Sequence, residues 1–241
     1  MEVHTHPHHV THKKKWGEYL LEFFMLFLAV FLGFVAENIR EHLADKHRGK
    51  EYVTSFVEDL KKDTAQYKSL LQEYHYSDSV TNNIIDCYNT VKQAPESTAC
   101  LKEIIPNLLG FSDFVYTDRT IQQLKNAGGL RLIADKDIAD SIISYDAFVR
   151  RELIHQDALE IYQAKSIDAV KTSLNFPSFY NIYSEQFGAI SKTQPQVNKE
   201  IVDKLFNDLW IFKINLKRQG NQINALKLNA ERLIAYLEKK L

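Results

Sequence analysis

The sequence has little of what interrupts helices or cross-links small domains. Its 241 residues contain 8 Gly, 5 Pro and 2 Cys, and no proline occurs between Glu37 and Gln93. Two cysteines are too few for a disulfide-rich miniprotein or a four-cysteine zinc module. Lys plus Arg number 30 and Asp plus Glu 31, which gives a net charge of −1. This balance argues against a basic nucleic-acid-binding protein, and we expect no nucleic-acid partner.

Motifs for catalysis and cofactor binding are also missing. The chain has no Gly-x-Ser-x-Gly nucleophile elbow, no phosphate-binding or dinucleotide loop, and no His-Glu-x-x-His zinc motif. Glu152-Leu-Ile-His155 matches one half of a di-iron pattern, but a second copy is lacking, so we interpret it as a chance match. We therefore predict no catalytic residues, no cofactor-binding residues and no enzyme activity.

One long apolar segment stands out from this ordinary composition. Tyr19 to Ala36 reads YLLEFFMLFLAVFLGFVA, in which Glu22 is the only charged residue. Counted from Trp16, the segment is long enough to span the roughly 30 Å hydrocarbon layer of a bilayer, because a helix rises about 1.5 Å per residue. We predict a transmembrane helix over residues 16–36 that contacts membrane lipid and acts as an uncleaved signal anchor.

The flanks of this segment and the two cysteines bear on its orientation. Lys13, Lys14 and Lys15 precede it, and a compact basic cluster favours the cytoplasmic side. Cys87 and Cys100 are close enough in sequence to be bridged across a short loop, or they remain reduced and buried. A disulfide would persist only in an oxidising compartment. We favour a cytoplasmic N-terminus with the helical domain in the periplasm, and keep a cytoplasmic domain as the alternative.

Beyond the apolar segment the sequence has helical periodicity and no strand pattern, so we predict an all-α protein. We divide the chain into a His-rich disordered leader 1–15, the transmembrane helix 16–36, a juxtamembrane helical arm 37–93, and an elongated helical bundle 94–241 that ends in a coiled-coil-like helix 198–241. Within the bundle, Asp135 opens a helix of residues 136–174, which ends at Asn175-Phe176-Pro177.

The last helix has the clearest pattern. Apolar residues with one polar member, Gln219, alternate steps of three and four, which is a heptad repeat. The repeat consists of Val202, Leu205, Leu209, Phe212, Leu216, Gln219, Ile223, Leu226, Ala230, Leu233 and Leu237. This helix packs either on the arm of the same chain or between chains.

The predicted transmembrane helix has two different faces. One stripe contains Glu22, Leu26, Ala29, Gly33 and Ala36, and phenylalanines lie opposite. Small residues let helix backbones approach closely, and a carboxylate in the same stripe avoids lipid. We predict that copies of the chain associate through this face as a homo-oligomer.

Histidines are concentrated in the leader. Five of the nine lie within the first twelve residues, namely His4, His6, His8, His9 and His12. Imidazoles at this density can bind Zn²⁺, Ni²⁺ or Cu²⁺ from a flexible segment. We predict weak divalent-metal binding there, with a leader that has no metal role as the alternative.

The N-terminal block KKKWGEYLLEFFMLFLAVFLGFVAENIREH, followed by KEYVTSFVEDLKKDT, resembles the start of an uncharacterised family of single-span inner-membrane proteins of Gram-negative bacteria. A second shared feature is IQQLKNAGGLRLIADKDIADSIISYD, a helix, a small-residue break and another helix. The resemblance is best over residues 13–146. It implies a bacterial inner-membrane anchor with a helical domain and implies no reaction.

Together these features predict a membrane-anchored, homo-oligomeric helical scaffold or interaction protein with an unknown protein partner. Two alternatives stay open. One is a subunit of a channel or transport assembly, in which Glu22 and Glu37 line a passage. The other is a periplasmic sensor accessory that signals through a partner.

Overall fold

The computed structural model describes residues 15–110, 112–174, 180 and 197–241. The α-helices of these residues are, in chain order, α1 Trp16–Val80, α2 Ile84–Gln93, α3 Ala99–Leu109, α4 Arg119–Asn126, α5 Lys136–Ser173 and α6 Val202–Lys240. The same residues form no β-strand, and their one isolated bridge is antiparallel and joins Leu174 to Val197. The all-α prediction, with an N-terminal apolar helix and a long C-terminal helix, is confirmed.

The chain divides into two compact units, Met1–Arg48 and Gly49–Leu241. The predicted boundaries follow residues 15, 36 and 93, and the division after Arg48, like the boundary at residue 36, lies inside α1. In the first unit, residues 16–36 are exposed or half-buried, and none is buried. Among the residues that the structure describes, this is the one helix long and apolar enough to cross a membrane.

In the second unit, α6 runs antiparallel to α1. Lys50 Nζ donates to the carbonyl oxygen of Leu241 at 2.8 Å. Further along, an added Cβ at Gly220 would lie 3.3 Å from Cδ2 of Tyr74. Because low residue numbers on α1 meet high numbers on α6, the two helices must point in opposite directions.

The third long helix, α5, also runs antiparallel to α6. Lys240 Nζ lies 3.0 Å from Asp135 Oδ2, beside the start of α5. Near the other end of α5, the Ser166 hydroxyl donates to the carbonyl oxygen of Asp208 at 3.0 Å. Helices α1, α5 and α6 therefore form the frame of the bundle, and α5 is parallel to α1.

The heptad repeat of α6 supplies one side of the bundle core. All eleven positions of the repeat are buried, together with Phe206 and Lys213. They pack within one chain, which is one of the two arrangements that the pattern allowed. Each large apolar side chain removed from water in this way contributes about 1.5–3 kcal/mol.

The predicted helical arm 37–93 is interrupted near residue 81. Helix α1 ends at Val80 and a 3₁₀ turn, Thr81–Asn83, precedes α2. Lys213 of α6 donates to the carbonyl oxygen of Thr81 at 2.7 Å, and the Thr81 hydroxyl donates back to the carbonyl oxygen of Ser77 at 2.7 Å. Such side-chain bonds compete with the helical ladder, and one of them comes from a residue 132 positions away.

Two glycines shape the connection from α4 to α5. Gly128 adopts φ +67°, a left-handed conformation that favours glycine, and leads into the 3₁₀ turn Gly129–Leu132. This turn lies against α1 at Gly49, where an added Cβ would come within 2.2 Å of the Leu132 carbonyl oxygen. The close approach of two backbones therefore requires glycine at position 49.

Candidate functional site

The predicted oligomerisation face lies on the N-terminal part of α1. Glu22, Leu26, Ala29, Gly33 and Ala36 are all exposed. A Cβ added at Gly33 would meet no atom outside the local helix backbone within 4 Å. A larger side chain at Gly33 is therefore tolerated within a single chain. Any loss of stability or association that it causes must come from contacts with another molecule.

The opposite side of the same segment is aromatic. The ring centroids of Phe27 and Phe31 lie 6.0 Å apart with the rings stacked, and those of Phe24 and Phe27 lie 6.5 Å apart. These rings follow one another along a single side of α1. The segment thus presents a face with small residues and a bulky aromatic face in different directions.

An exposed ion pair follows this segment. Arg40 Nε donates to Glu37 Oε2 at 2.8 Å, one helical turn away. Both side chains are exposed, and ion pairs of this kind add little to stability. The Glu37 carboxylate, which the channel alternative needs for its passage, is thus engaged by a neighbouring guanidinium.

A second candidate site lies inside the bundle, where acids and phenols from different elements meet. We name it the acid–tyrosine network, and it consists of Asp59, Asp63, Tyr67, Tyr116, Tyr145 and Asp146. The three aspartates have between 0% and 1% of their surface exposed. Buried carboxylates are costly unless they are paired or protonated, so the partners of each one matter.

Asp59 is satisfied by the start of α4. Its carboxylate accepts a hydrogen bond from the backbone N–H of Thr120 at 3.1 Å and one from the Arg119 guanidinium, also at 3.1 Å. The residue that precedes α4, Asp118, makes no capping bond of its own. Asp59 of α1 therefore takes the place of a local cap, where both the free N–H groups and the helix dipole favour a negative charge.

Asp146 is satisfied by cations. Its carboxylate accepts from Lys125 and from Arg150 Nε, with both oxygens 3.1 Å from that nitrogen. Arg150 also reaches Asp118 at 3.4 Å. Charge-assisted bonds of this kind compensate for the loss of water around the buried carboxylate.

Asp63 differs from the other two because no cation pairs with it among the described residues. One of its oxygens accepts from the backbone N–H of Thr117 at 3.0 Å, and the other, Oδ2, is buried without a partner. Burial raises the pKa of this carboxyl to about 6; the bonds from Thr117 oppose the shift, and the charges of Asp59 and Asp118 add to it. With this pKa, Asp63 loses its proton near pH 6.

Three tyrosines surround this carboxyl. The hydroxyl oxygens of Tyr67 and Tyr145 are 3.1 Å apart and share a hydrogen bond, while the Tyr116 hydroxyl is buried without a partner. Burial raises the pKa of each phenol far above its ordinary value. All three phenols therefore stay neutral at physiological pH, and either Tyr67 or Tyr145 donates the bond that joins them.

The two cysteines join two short helices of this unit. Cys87 of α2 and Cys100 of α3 are joined in a disulfide, with their Cα atoms 5.8 Å apart. The bond closes the short loop between these helices. It lies beside an open cleft of about 730 Å³ whose rim includes Asp86, Glu96 and Glu103.

The other residues considered for metal binding do not converge. His4, His6, His8, His9 and His12 lie outside the described residues. Within the described ranges no group of three or more His, Cys, Asp or Glu side chains is placed to hold a metal ion. On α5, Glu152 is buried whereas His155 is exposed, so these two side chains do not face a common site.

The acid–tyrosine network was not predicted, although the sequence contains one signal for it. Asp59, Asp63 and Tyr67 recur every four residues on the face of α1 that also carries the buried Phe56 and Leu60. Carboxylates inside an otherwise apolar helix stripe indicate a buried polar network. The alternating charged residues around them hid this signal.

Comparison of the chain with protein-family models, with curated proteins and with solved structures finds no match. The possible functions of this chain are therefore inferred from the geometry of its described residues. The exposed face of α1 is suited to association with another apolar surface. The acid–tyrosine network is suited to holding or releasing a proton at Asp63.

Proposed function

We propose that this chain is a membrane-anchored helical scaffold protein. In this proposal residues 16–36 span the bilayer, copies of the chain associate through the Glu22, Leu26, Ala29, Gly33 and Ala36 face, and the bundle offers a surface to a protein partner. The role is one of interaction rather than catalysis, with no cofactor required.

The observation that carries the proposal is the exposure of the apolar segment. Leu20, Leu32 and Phe34 have 56%, 59% and 70% of their surface exposed. Leaving one such side chain in water costs about 1.5–3 kcal/mol. Large contiguous apolar patches mark contact with a membrane or a protein. A buried core helix of similar composition would not leave the whole segment uncovered.

For localisation we propose the inner membrane of a bacterium, with the N-terminus in the cytoplasm and the bundle in the periplasm. The Cys87–Cys100 disulfide supports this orientation because such bonds persist in oxidising compartments. The Lys13–Lys15 cluster also favours this orientation, and the family resemblance supports a bacterial inner-membrane anchor. Labelling of the cysteines in intact cells tests it: they should react with an impermeant thiol reagent only after reduction. Reaction without reductant and only after lysis would place the bundle in the cytoplasm.

Self-association is tested by Gly33→Leu. The added side chain meets nothing inside the chain, so we expect the fold to remain intact and the close approach of two backbones to be lost. Native mass spectrometry and crosslinking in mild detergent should show oligomers for the unmodified chain and a shift to monomers for the variant.

The matched control is Phe31→Leu, an apolar exchange on the aromatic side of the same helix. It should leave the oligomer unchanged. Monomers alone for the unmodified chain, or equal losses for both variants, would contradict association through the Gly33 side.

A further inference from the structure

A cleft of about 450 Å³ lies between α5 and α6. It does not include the disulfide, and Tyr145 is the one residue that it shares with the acid–tyrosine network. Each helix lines it with residues at the spacing i, i+3, i+4, i+7, which places four side chains on one helix face. These residues are Ser141, Ser144, Tyr145 and Phe148 of α5, and Asn229, Arg232, Leu233 and Tyr236 of α6. The volume is within the usual range for small-molecule sites, about 300–1,000 Å³.

Arg232 is the only charged residue in this lining. It takes part in no ion pair or hydrogen bond within the described part of the chain. The adjacent acid, Glu231, is paired with Lys227 at 3.5 Å. A guanidinium that is not neutralised by a carboxylate has paired N–H donors available for a carboxylate or a phosphate.

The rest of the cleft is apolar and aromatic at its base and walls. Leu233 and Tyr145 are buried at the base of the cleft. Because the Tyr145 hydroxyl bonds to Tyr67, the part of Tyr145 that lines the cleft is its ring. Phe148 of α5 and Tyr236 of α6 are half-buried, one on each helix. One face of each ring is covered by a cation, Arg151 at 5.1 Å from the Phe148 centroid and Lys240 at 5.9 Å from the Tyr236 centroid. A flat apolar partner would therefore contact the other face of each ring.

The polar groups of the lining also fit an anion. The Ser141 hydroxyl is engaged with the carbonyl oxygen of Asp137 at 2.6 Å, whereas Ser144 is exposed at the rim. No Asp or Glu lines the cleft, so nothing there repels a negative charge. A site with one cation, one available hydroxyl and aromatic walls discriminates by charge and by shape together.

We infer that this cleft binds a small organic anion with a flat ring, of the aryl carboxylate or aryl phosphate class. The anionic group would lie on the Arg232 guanidinium, and the ring would lie between Phe148 and Tyr236. This site is independent of the proposed membrane association, because its residues all belong to the bundle.

The test uses the full chain in mild detergent with benzoate and phenyl phosphate as probes, followed by ligand-observed NMR and calorimetry. Saturable binding of at least one probe is expected. Acetate, inorganic phosphate and benzyl alcohol, which each lack either the ring or the charge, should bind at least tenfold more weakly. Acetate or phosphate binding as tightly as the aryl anions would overturn the ring part of the inference.

Arg232→Gln should weaken the aryl anion at least tenfold without a change in the thermal unfolding midpoint, since Arg232 is exposed and unpaired. The matched control is Arg218→Gln, which removes another exposed arginine of α6 that lies outside the cleft and should change affinity less than twofold. Absence of saturable binding, or an equal loss for both arginine variants, would overturn the inference.

Discussion

The two units of the chain differ in how far their apolar residues are buried. In the bundle, Leu205, Leu209 and Leu226 have 0% of their surface exposed, whereas none of the side chains of residues 16–36 is buried. The same chemical groups are packed in a core in one unit, whereas in the other the described residues leave them largely uncovered. This difference supports the proposal that residues 16–36 span a bilayer, because they form a helix long and apolar enough to do so.

The acidic residues of the two units also differ in burial. The bundle buries three aspartates deeply, while Glu22 and Glu37 of the first unit are exposed. A buried carboxylate needs partners from several elements, and the bundle supplies them from α4, α5 and the segment before α4. In the first unit, residues 16–48 belong to one helix, and Glu37 pairs there with Arg40 of the neighbouring turn.

The largest expected effect comes from making the same substitution in both units. Leu226→Ala should lower the free energy of unfolding by about 2–5 kcal/mol, because it leaves a cavity in the core. Leu32→Ala should leave the unfolding of the bundle unchanged. Chemical denaturation in mild detergent, followed by circular dichroism, measures both. Equal losses would mean that the apolar segment is packed against the bundle after all.

Next in size is the disulfide. Replacing Cys87 and Cys100 together by Ser opens a loop of sequence separation 13, which should cost about 3 kcal/mol on the chain-entropy account. Reductant should lower the stability of the unmodified chain to the same level and have no effect on the double variant. Crosslinking through the first unit should persist in every case. A double variant as stable as the unmodified chain would show that the bond contributes nothing.

The smallest expected effect concerns Asp63 and pH. Its folded pKa of about 6 exceeds the value of about 3.9 for an unfolded chain, so the folded state binds the proton more tightly. Its contribution to stability is therefore fully present below about pH 4 and is lost as the pH rises through 6. Asp63→Asn should raise stability at pH 8 by at most about 3 kcal/mol, with little change at pH 4.

The control for this experiment is Asp59→Asn, which removes a carboxylate held by Arg119 and Thr120. It should lower stability at pH 8 instead of raising it. Thermal unfolding of each variant relative to the unmodified chain at the two pH values separates them. A loss of stability for Asp63→Asn at pH 8 would contradict the conclusion that Asp63 lacks a cationic partner and that burial sets its pKa.

The long helices were predictable because their signals are local and repeated. The heptad positions of α6 are all buried, and α5 runs over Lys136–Ser173 against an expected 136–174, with Asp135 accepting the capping bond from the N–H of Asp137 at 3.0 Å. Apolar periodicity and cap residues act within a few turns, so the sequence contains them directly.

The parts that escaped prediction depend on residues far apart in the chain. The break at Thr81–Asn83 has no proline or glycine to announce it, and Lys213 of α6 binds the carbonyl oxygen of Thr81. The pairing of Asp59 with the start of α4 joins positions 61 residues apart. Whether an aspartate on an apolar stripe is buried and paired is decided by tertiary packing, which periodicity does not encode.

The bond between Lys50 and Leu241 has a mechanical consequence. It places Leu241, which directly follows α6, beside Lys50, near the position where α1 enters the bundle, so a domain fused after Leu241 would start at that same end. A load applied between positions 50 and 241 would act on adjacent ends of two antiparallel helices. It would peel them apart turn by turn, loading a few contacts at a time, whereas a load along opposite ends would shear the whole heptad seam at once.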